Sequence, residues 1–260
     1  MNETINNIII SIGTTLVTGA FQKANNPARA IDDLMTLSGF EALHSWAEKN
    51  RIKHASNLND FKEKIAKEIL QIAIENLKDP NLNILGPALE ASKYHINQEI
   101  IRDMFARLIA SDIDITKENR VHPSFVEIIK QLSPLDAQNL SIIFNYNNRN
   151  IPIANYYRKF AETKAKKLLQ PNVFLLNPEQ LTVDFNASSL ENLRRLGIVE
   201  LIYNQSIANE QEYSLLKNNN FLYDIVDSYK NDNSFDGIYI EPGFARLTFF
   251  GLDFCEICLP

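Results

Sequence analysis

The sequence predicts a mainly α-helical protein in which an N-terminal helical domain is followed by a C-terminal, winged-helix-like α+β domain. Three observations predict this class. Apolar residues recur at three- and four-residue steps through the first half of the chain, as is typical of amphipathic helices. Helix-start signals occur repeatedly between Pro87 and Phe144. Beyond Phe144, short β-branched and aromatic runs alternate with helical patterns. We therefore predict two domains, residues 1–132 and 133–260.

Residues 4–21 are apolar and carry no charge. A spanning helix needs about 20 predominantly apolar residues, and threonine, serine and glycine interrupt this stretch. We interpret it as a buried helix or an oligomer interface, with membrane insertion as the alternative. Helices are predicted next over 28–51 and 57–77. The second should end at Asp79-Pro80, because proline disfavours helical geometry at the residue before it.

Two helix starts define the centre of the chain. In the first, Pro123 occupies a first-turn position where its missing N–H costs no hydrogen bond. In the second, Ser133 is a typical N-cap and Asp136 faces the positive end of the helix. A catalytic alternative would use His122 as a proton carrier beside Ser124 and Asp136, but no glycine-flanked nucleophile is present. We interpret all the motif residues as structural caps: His122, Pro123, Ser124, Ser133, Pro134 and Asp136.

The same region carries a family resemblance. The runs Pro87–Ala91, Met104–Ser111, His122–Phe125 and Lys130–Asp136 resemble the abortive-infection alpha family of bacterial proteins. The resemblance covers residues 60–145 and implies a role in phage defence. Because the molecular activity of the family is undefined, it implies no catalytic residues, metal or cofactor.

A basic cluster follows Phe144. Its cations are Arg149, Arg158, Lys159, Lys164, Lys166 and Lys167. Tyr156, Tyr157 and Phe160 lie among them, so cations that contact phosphates would stand beside rings that stack on bases. The cluster is the best nucleic-acid signal in the sequence. We predict a strand over 151–157 and a helix over 159–169.

The remaining residues outline a winged helix. A helix begins near Ser188 and stops at Gly197, strands are predicted at 198–203, 238–240 and 245–247, and Thr248 starts a last helix. The insertion at 204–237 is too long for a simple wing and should contain one or two helices. Arg194 and Arg195 would lie on the recognition helix. The acidic balance from 200 to 256 argues against duplex binding.

Composition sets the remaining limits. The chain has 260 residues, a formal net charge of −6 and two cysteines. So few cysteines indicate a reducing cytoplasm. Cys255 and Cys258 form a Cys-x-x-Cys, yet they lie on an apolar helical face and lack the further ligands of a zinc site. We interpret both as packing residues and expect no metal or cofactor.

The predicted function is therefore a cytoplasmic, non-enzymatic interaction or sensing module in phage defence. Its partner would be another protein or a second copy of the chain. The alternative is a winged-helix nucleic-acid-binding protein, and the second alternative is a membrane-acting toxin that uses residues 4–21.

Overall fold

A computed structural model describes residues 53–146 and 150–259. The chain forms two compact units. The helical unit comprises residues up to Gln131 together with those from Glu256 onward, and the sheet unit comprises Leu132–Cys255. The predictions for residues 4–21 and 28–51 lie outside the described residues, as does Arg149.

The helical unit is built around one central helix. Its helices are α1 (Lys53–Ile69), α2 (Leu82–His95), α3 (Glu99–Asp112) and α4 (Ser124–Gln131). The apolar stripe predicted on α3 is buried against α1, α2 and α4, and it includes Ile101, Met104, Phe105, Leu108 and Ile109. Buried Arg102 joins α3 to its surroundings, since it pairs with Asp60 and donates to the carbonyl of Ile96. The predicted helical periodicity is thus confirmed in this stretch.

The predicted end of the helix over 57–77 is wrong. Helix α1 ends at Ile69 rather than at residue 77, and a 3-10 turn follows at Ile74–Asn76. Helix α2 begins at Leu82, where the side chain of Asn81 accepts the backbone N–H of Asn83 at 3.0 Å. An asparagine N-cap satisfies an exposed helix donor, and this cap sets the start of α2 upstream of Pro87.

The sheet unit alternates helices and strands. Its elements are α5 (Pro134–Asn145), β1 (Asn150–Phe160), β2 (Lys166–Val173), α6 (Val183–Arg195), β3 (Val199–Ile202), α7 (Ser214–Lys217), α8 (Asn220–Ser228), β4 (Phe235–Leu247) and the start of α9 (Phe249–Cys258). The strands pair antiparallel in the order β2-β1-β4-β3. The described part of the chain is therefore mixed, since it contains both α-helices and a four-stranded antiparallel sheet. No helix within the described ranges is both long and apolar enough to cross a bilayer.

The helix predicted over 159–169 is wrong. These residues form the end of β1, an exposed turn and the start of β2, with Lys159 opposite Lys166 and Arg158 opposite Lys167. Lysine and alanine favour a helix locally. The pairing of β1 with β4 along most of its length overrides that preference.

The insertion at 204–237 supplies a layer over one face of the sheet. It contains the predicted helices, here α7 and α8, preceded by a 3-10 turn at Glu210–Tyr213. Tyr156 points into this layer and is fully buried, and its hydroxyl donates to the carbonyl of Leu216 at 2.5 Å. The core beneath the insertion consists of Ala154, Tyr156, Val173, Val183, Tyr213, Leu216 and Leu222.

The predicted glycine stop after α6 is confirmed. Gly197 has a φ of +74°, the left-handed region that glycine adopts without strain. The predicted start of the last helix is also confirmed, since the Thr248 hydroxyl accepts the N–H of Gly251 at 2.8 Å. A Cβ on Gly251 would lie 2.0 Å from the carbonyl oxygen of Ile198. Glycine is therefore required where α9 crosses this turn.

Candidate functional site

The β1–β2 hairpin carries most of the basic residues that the sequence singled out. Arg158, Lys159, Lys164, Lys166 and Lys167 all lie on the paired ends of the two strands or in the turn between them. Every residue from 161 to 168 is exposed. The structure thus brings these five cations together at one end of the sheet, although they differ in what they contact.

Arg158 is held in place at the base of the hairpin. Its guanidinium lies 2.5 Å from Asp232 and sits over the rings of Phe160 and Tyr229, at 4.6 and 4.7 Å from their centroids. Donors from Ser234, together with Arg158, hold the pKa of the Asp232 carboxyl below its usual range. Arg158 is largely enclosed by these groups, so it anchors the hairpin rather than presenting a free charge.

The lysines at the end of β1, in the turn and at the start of β2 differ in whether they form an ion pair. Lys159, at the end of β1, pairs with Asp236 at 3.3 Å. By contrast, no acidic side chain in the described part of the chain forms an ion pair with Lys164, Lys166 or Lys167. We call these three residues the lysine tip. Their charges remain available to an external anion.

Two tyrosines lie side by side next to the lysine tip. Tyr157 on β1 is directly opposite Tyr239 on β4, and their ring centroids are 6.1 Å apart with planes inclined at 47°. Leu168 on β2 is opposite Tyr157 and is 45% exposed. Both tyrosines are half-buried. Since side chains alternate along a strand, these three residues lie on the sheet face opposite Tyr156, and we call them the tyrosine face.

A hydrogen-bond network borders the tyrosine face. One carboxylate oxygen of Glu241 accepts from the Tyr157 hydroxyl at 3.1 Å and from the Asn155 amide at 2.9 Å. The pKa of Tyr157 is raised by burial and by Glu241, which keeps the phenol protonated as a donor. The network therefore fixes the hydroxyl edge of the Tyr157 ring.

The network continues to a bulge in β2. Asn172 has a φ of +50°, and its backbone N–H donates to Asn155 at 3.0 Å. Its side chain accepts from the Tyr203 hydroxyl and donates to Glu191 on α6, both at 2.7 Å. Burial is the main reason that the pKa of Tyr203 is raised. Asparagine tolerates this left-handed conformation, so the bulge ties the sheet to α6.

The two arginines expected on the recognition helix lie in the last turn of α6. Arg194 pairs with Glu191 at 2.8 Å, and Arg195 donates to the side chain of Asn192 at 2.8 Å. Both contacts are exposed pairs within one helix. The structure does not place these arginines in the hairpin cluster defined above.

The motif residues of the central stretch lie at helix starts. The ring of His122 accepts the backbone N–H of Ser124 at 3.1 Å and lies 2.6 Å from its hydroxyl, at the start of α4. Ser133 and Asp136 form a reciprocal capping box at the start of α5, with Pro134 as its first residue. These contacts engage the polar side chains locally, which is the arrangement that helix caps require.

Cys255 and Cys258 are both buried, and neither is part of a disulfide. Burial raises the pKa of the Cys255 thiol, so the reactive thiolate form is disfavoured. Among the described residues, no three histidine, cysteine or acidic side chains are grouped as metal ligands.

Sequence reasoning missed the partners of Tyr157. The sequence predicts the strand around Ile238-Tyr239-Ile240 but not its pairing with β1, because residues 159–169 are predicted as a helix and not as part of a hairpin. One sequence pattern could have identified these partners. Apolar and polar residues alternate at Ile238, Tyr239, Ile240 and Glu241, which places Tyr239 and Glu241 on one face of a strand.

Comparisons with known proteins identify one matching family and one similar solved structure. A sequence model of the family described as abortive infection alpha matches residues 53–258. No curated protein matches the chain. One matching solved structure is described as that of the uncharacterized protein from the hydrocarbon-degrading marine bacterium Alcanivorax borkumensis SK2. It is 12% identical, with a TM-score of 0.33, and the match covers 55% of this chain and 94% of that chain.

Proposed function

Because this chain belongs to the abortive infection alpha family, we propose that it acts in phage defence as a non-enzymatic interaction or sensing module. The surface through which it binds is the end of the β1–β2 hairpin. The partner is an anionic macromolecule. Location in the cytoplasm and a role for self-association remain predictions.

The observation that carries this proposal is the lysine tip. Lys164, Lys166 and Lys167 extend from an exposed turn on a chain whose formal net charge is −6. Exposed lysines that form no ion pair can attract an external anion, whereas paired charges contribute little. A local positive surface on an acidic protein therefore favours a defined anionic partner over general coating of nucleic acid.

Binding rather than catalysis is supported by what the candidate catalytic side chains contact. His122 is engaged with Ser124, and Asp136 with Ser133, each within the cap of its own helix. A nucleophile and its base need to face a reacting atom. The contacts of His122 and Asp136 instead satisfy backbone N–H groups at the starts of helices. A pure preparation that hydrolyses nucleotides or nucleic acid unaided would contradict this part of the proposal.

A second candidate function is duplex binding by a winged-helix-like domain. It is favoured by the order of α5, α6, β3, β4 and α9, with β1 and β2 as an additional hairpin. Arg194 and Arg195 would then contact the duplex from α6. Exchange of both arginines for glutamine should weaken duplex binding if this candidate is correct. The membrane-acting alternative rests on residues 4–21 alone and remains a prediction.

A phage-challenge assay tests the proposed function. Bacteria that express the full chain are infected with a panel of phages, and plaque formation is compared with that of cells carrying an empty vector. We expect charge reversal of the lysine tip (Lys164→Glu, Lys166→Glu and Lys167→Glu) to abolish protection, because the partner would be repelled.

The matched control reverses three other exposed lysines, Lys67, Lys217 and Lys230. This variant has the same net charge as the hairpin variant, so it should protect as well as the unmodified chain. Protein abundance in both strains is measured by immunoblot. Full protection by the lysine-tip variant at normal abundance would show that the hairpin is not the binding surface.

A further inference from the structure

We propose that the tyrosine face binds the unpaired bases of single-stranded nucleic acid. The inference rests on the proposed function, since it names the anionic partner of the hairpin. Tyr157 and Tyr239 occupy the two central strands of the sheet, directly opposite each other. Aromatic rings in this position on an antiparallel sheet form a platform on which successive bases stack.

The orientation of the rings leaves room for bases. Their planes are inclined at 47°, with centroids 6.1 Å apart, so the two rings are not stacked face to face. Leu168, opposite Tyr157, extends the apolar surface onto β2. The other side of the sheet is filled by the core around Tyr156. Of the two faces of this sheet, the tyrosine face is therefore the one on which bases can stack.

The cations lie where the phosphates of a stacked strand would run. Lys166 Nζ is 3.3 Å from the ring centroid of Tyr239, so a base that stacks there must displace it. A lysine side chain is flexible, and the displaced ammonium group can bind the adjoining phosphate. Lys159 is opposite Lys166 in the strand register, so both lie on the same face as Tyr157, and Lys164 continues the positive surface into the turn.

The acidic groups of this region select against a duplex. Glu241 borders Tyr157, and Asp236 lies at the base of the hairpin beside Lys159. A duplex presents two charged backbones and hides the faces of its bases. It would meet these carboxylates without gaining any stacking energy. A single strand can turn its bases onto the rings while its phosphates follow the lysines.

Fluorescence anisotropy of labelled strands tests the inference with the full chain. The probes are short oligo-uridine and oligo-deoxythymidine strands and a duplex of matched length, each at low and moderate salt. We expect at least one strand to bind more tightly than the duplex. Replacing both rings (Tyr157→Ala with Tyr239→Ala) should weaken that binding by about tenfold or more, because stacking contributes about 1–3 kcal/mol per base.

Two further variants separate stacking from general damage. The double exchange Tyr157→Phe with Tyr239→Phe keeps both rings and should therefore weaken binding much less than the exchange of both for alanine. Tyr223→Ala removes an exposed tyrosine from α8 and should have no effect. Binding to RNA alone, to DNA alone or to both supports the inference and identifies the type of strand.

Three results would overturn the inference: no binding of either strand, equal binding of the duplex, or unchanged affinity after both tyrosines become alanine. The proposed function is judged separately by the phage assay. If strands do not bind but the lysine-tip variant loses protection, the hairpin recognises an acidic protein instead. If the lysine-tip variant protects fully, the proposed function fails whatever the strands do.

Discussion

Tyr156 and Tyr157 are neighbours in the sequence, yet they belong to opposite faces of the sheet and to different environments. Tyr156 is fully buried beneath the 204–237 insertion, where its hydroxyl donates to Leu216 and accepts from the Asn219 amide at 3.0 Å. Tyr157 is half-buried on the opposite face, where only the edge of its ring is fixed, by Glu241. One ring is therefore part of the core and the other is part of a surface.

This contrast shows that the 204–237 insertion covers one face of the sheet and gives the two faces different roles. A two-residue period sends alternate side chains to opposite faces. The insertion uses one set, Tyr156 and its neighbours, to build a core. The side chains on the other face, near the end of the hairpin, are not covered by the insertion. They are bordered by polar groups and lie near lysines. Stability should therefore depend on the covered face, and ligand binding on the uncovered one.

The largest expected effect is on the covered face. Tyr156→Ala should lower the free energy of unfolding by about 3–5 kcal/mol, because it leaves a large cavity in a core that cannot collapse fully. Tyr156→Phe should cost about 1–2 kcal/mol, because it removes a hydroxyl that makes two buried hydrogen bonds. Chemical denaturation of the full chain measures both. A loss below 1 kcal/mol for the alanine variant would contradict the assignment of Tyr156 to the core.

The helical unit offers a second enclosed polar group for comparison. Burial raises the pKa of Asp112 to about 6, even though its carboxylate accepts the backbone N–H of Asn81 at 2.8 Å. The folded chain therefore holds a proton on Asp112 more tightly than the unfolded chain does. Its stabilising contribution should be complete below about pH 4 and should decrease by roughly 2–3 kcal/mol as the pH rises through 6.

Denaturation of Asp112→Asn across this pH range checks that expectation. The amide oxygen still accepts from Asn81, but it does not ionise. The difference in unfolding free energy between the variant and the unmodified chain should therefore change with pH by the amount given above. Parallel pH profiles for the two proteins would show that Asp112 titrates normally in the folded state.

An intermediate effect is expected at the bulge that borders the tyrosine face. Asn172→Ala loses the side-chain contacts to Tyr203 and Glu191 and also strains a residue with a φ of +50°, so it should cost about 2–3 kcal/mol. Asn172→Gly loses the same contacts without the strain and should cost about 1 kcal/mol less. Thermal unfolding of both variants measures the difference. Equal stabilities would mean that the backbone conformation contributes nothing.

The sequence predicted features that depend on local chemistry. The capping box of Ser133 and Asp136, the glycine stop at Gly197 and the helix start at Thr248 each involve residues a few positions apart. Such contacts follow from the order of residues alone. The core stripe of α3 was also predictable, because its period of 3.6 is fixed by the helix.

The sequence could not predict features that depend on distant pairing. The helix expected over 159–169 is instead the end of β1, a turn and the start of β2, and β1 also pairs with β4, which is distant in the sequence. The candidate site could not be predicted in full for the same reason, because it is assembled by strands that are distant in the sequence. Tyr157 was identified within the basic cluster, but Tyr239 and Glu241 join it only through the sheet. The availability of each cation likewise depends on acids such as Asp232 and Asp236 from other segments.

The smallest effect on stability is expected on the uncovered face. Tyr157→Ala should lower the free energy of unfolding by less than about 1.5 kcal/mol, because it removes a cross-strand contact with Tyr239 and one partly exposed hydrogen bond, and leaves no enclosed cavity. Chemical denaturation beside Tyr156→Ala makes the comparison direct. If the two variants lose equal stability, the tyrosine face is a second core surface and is closed to bases. A small loss for Tyr157→Ala means that a fall in strand affinity reports a lost contact, because the fold that presents the remaining ring and the lysines is intact.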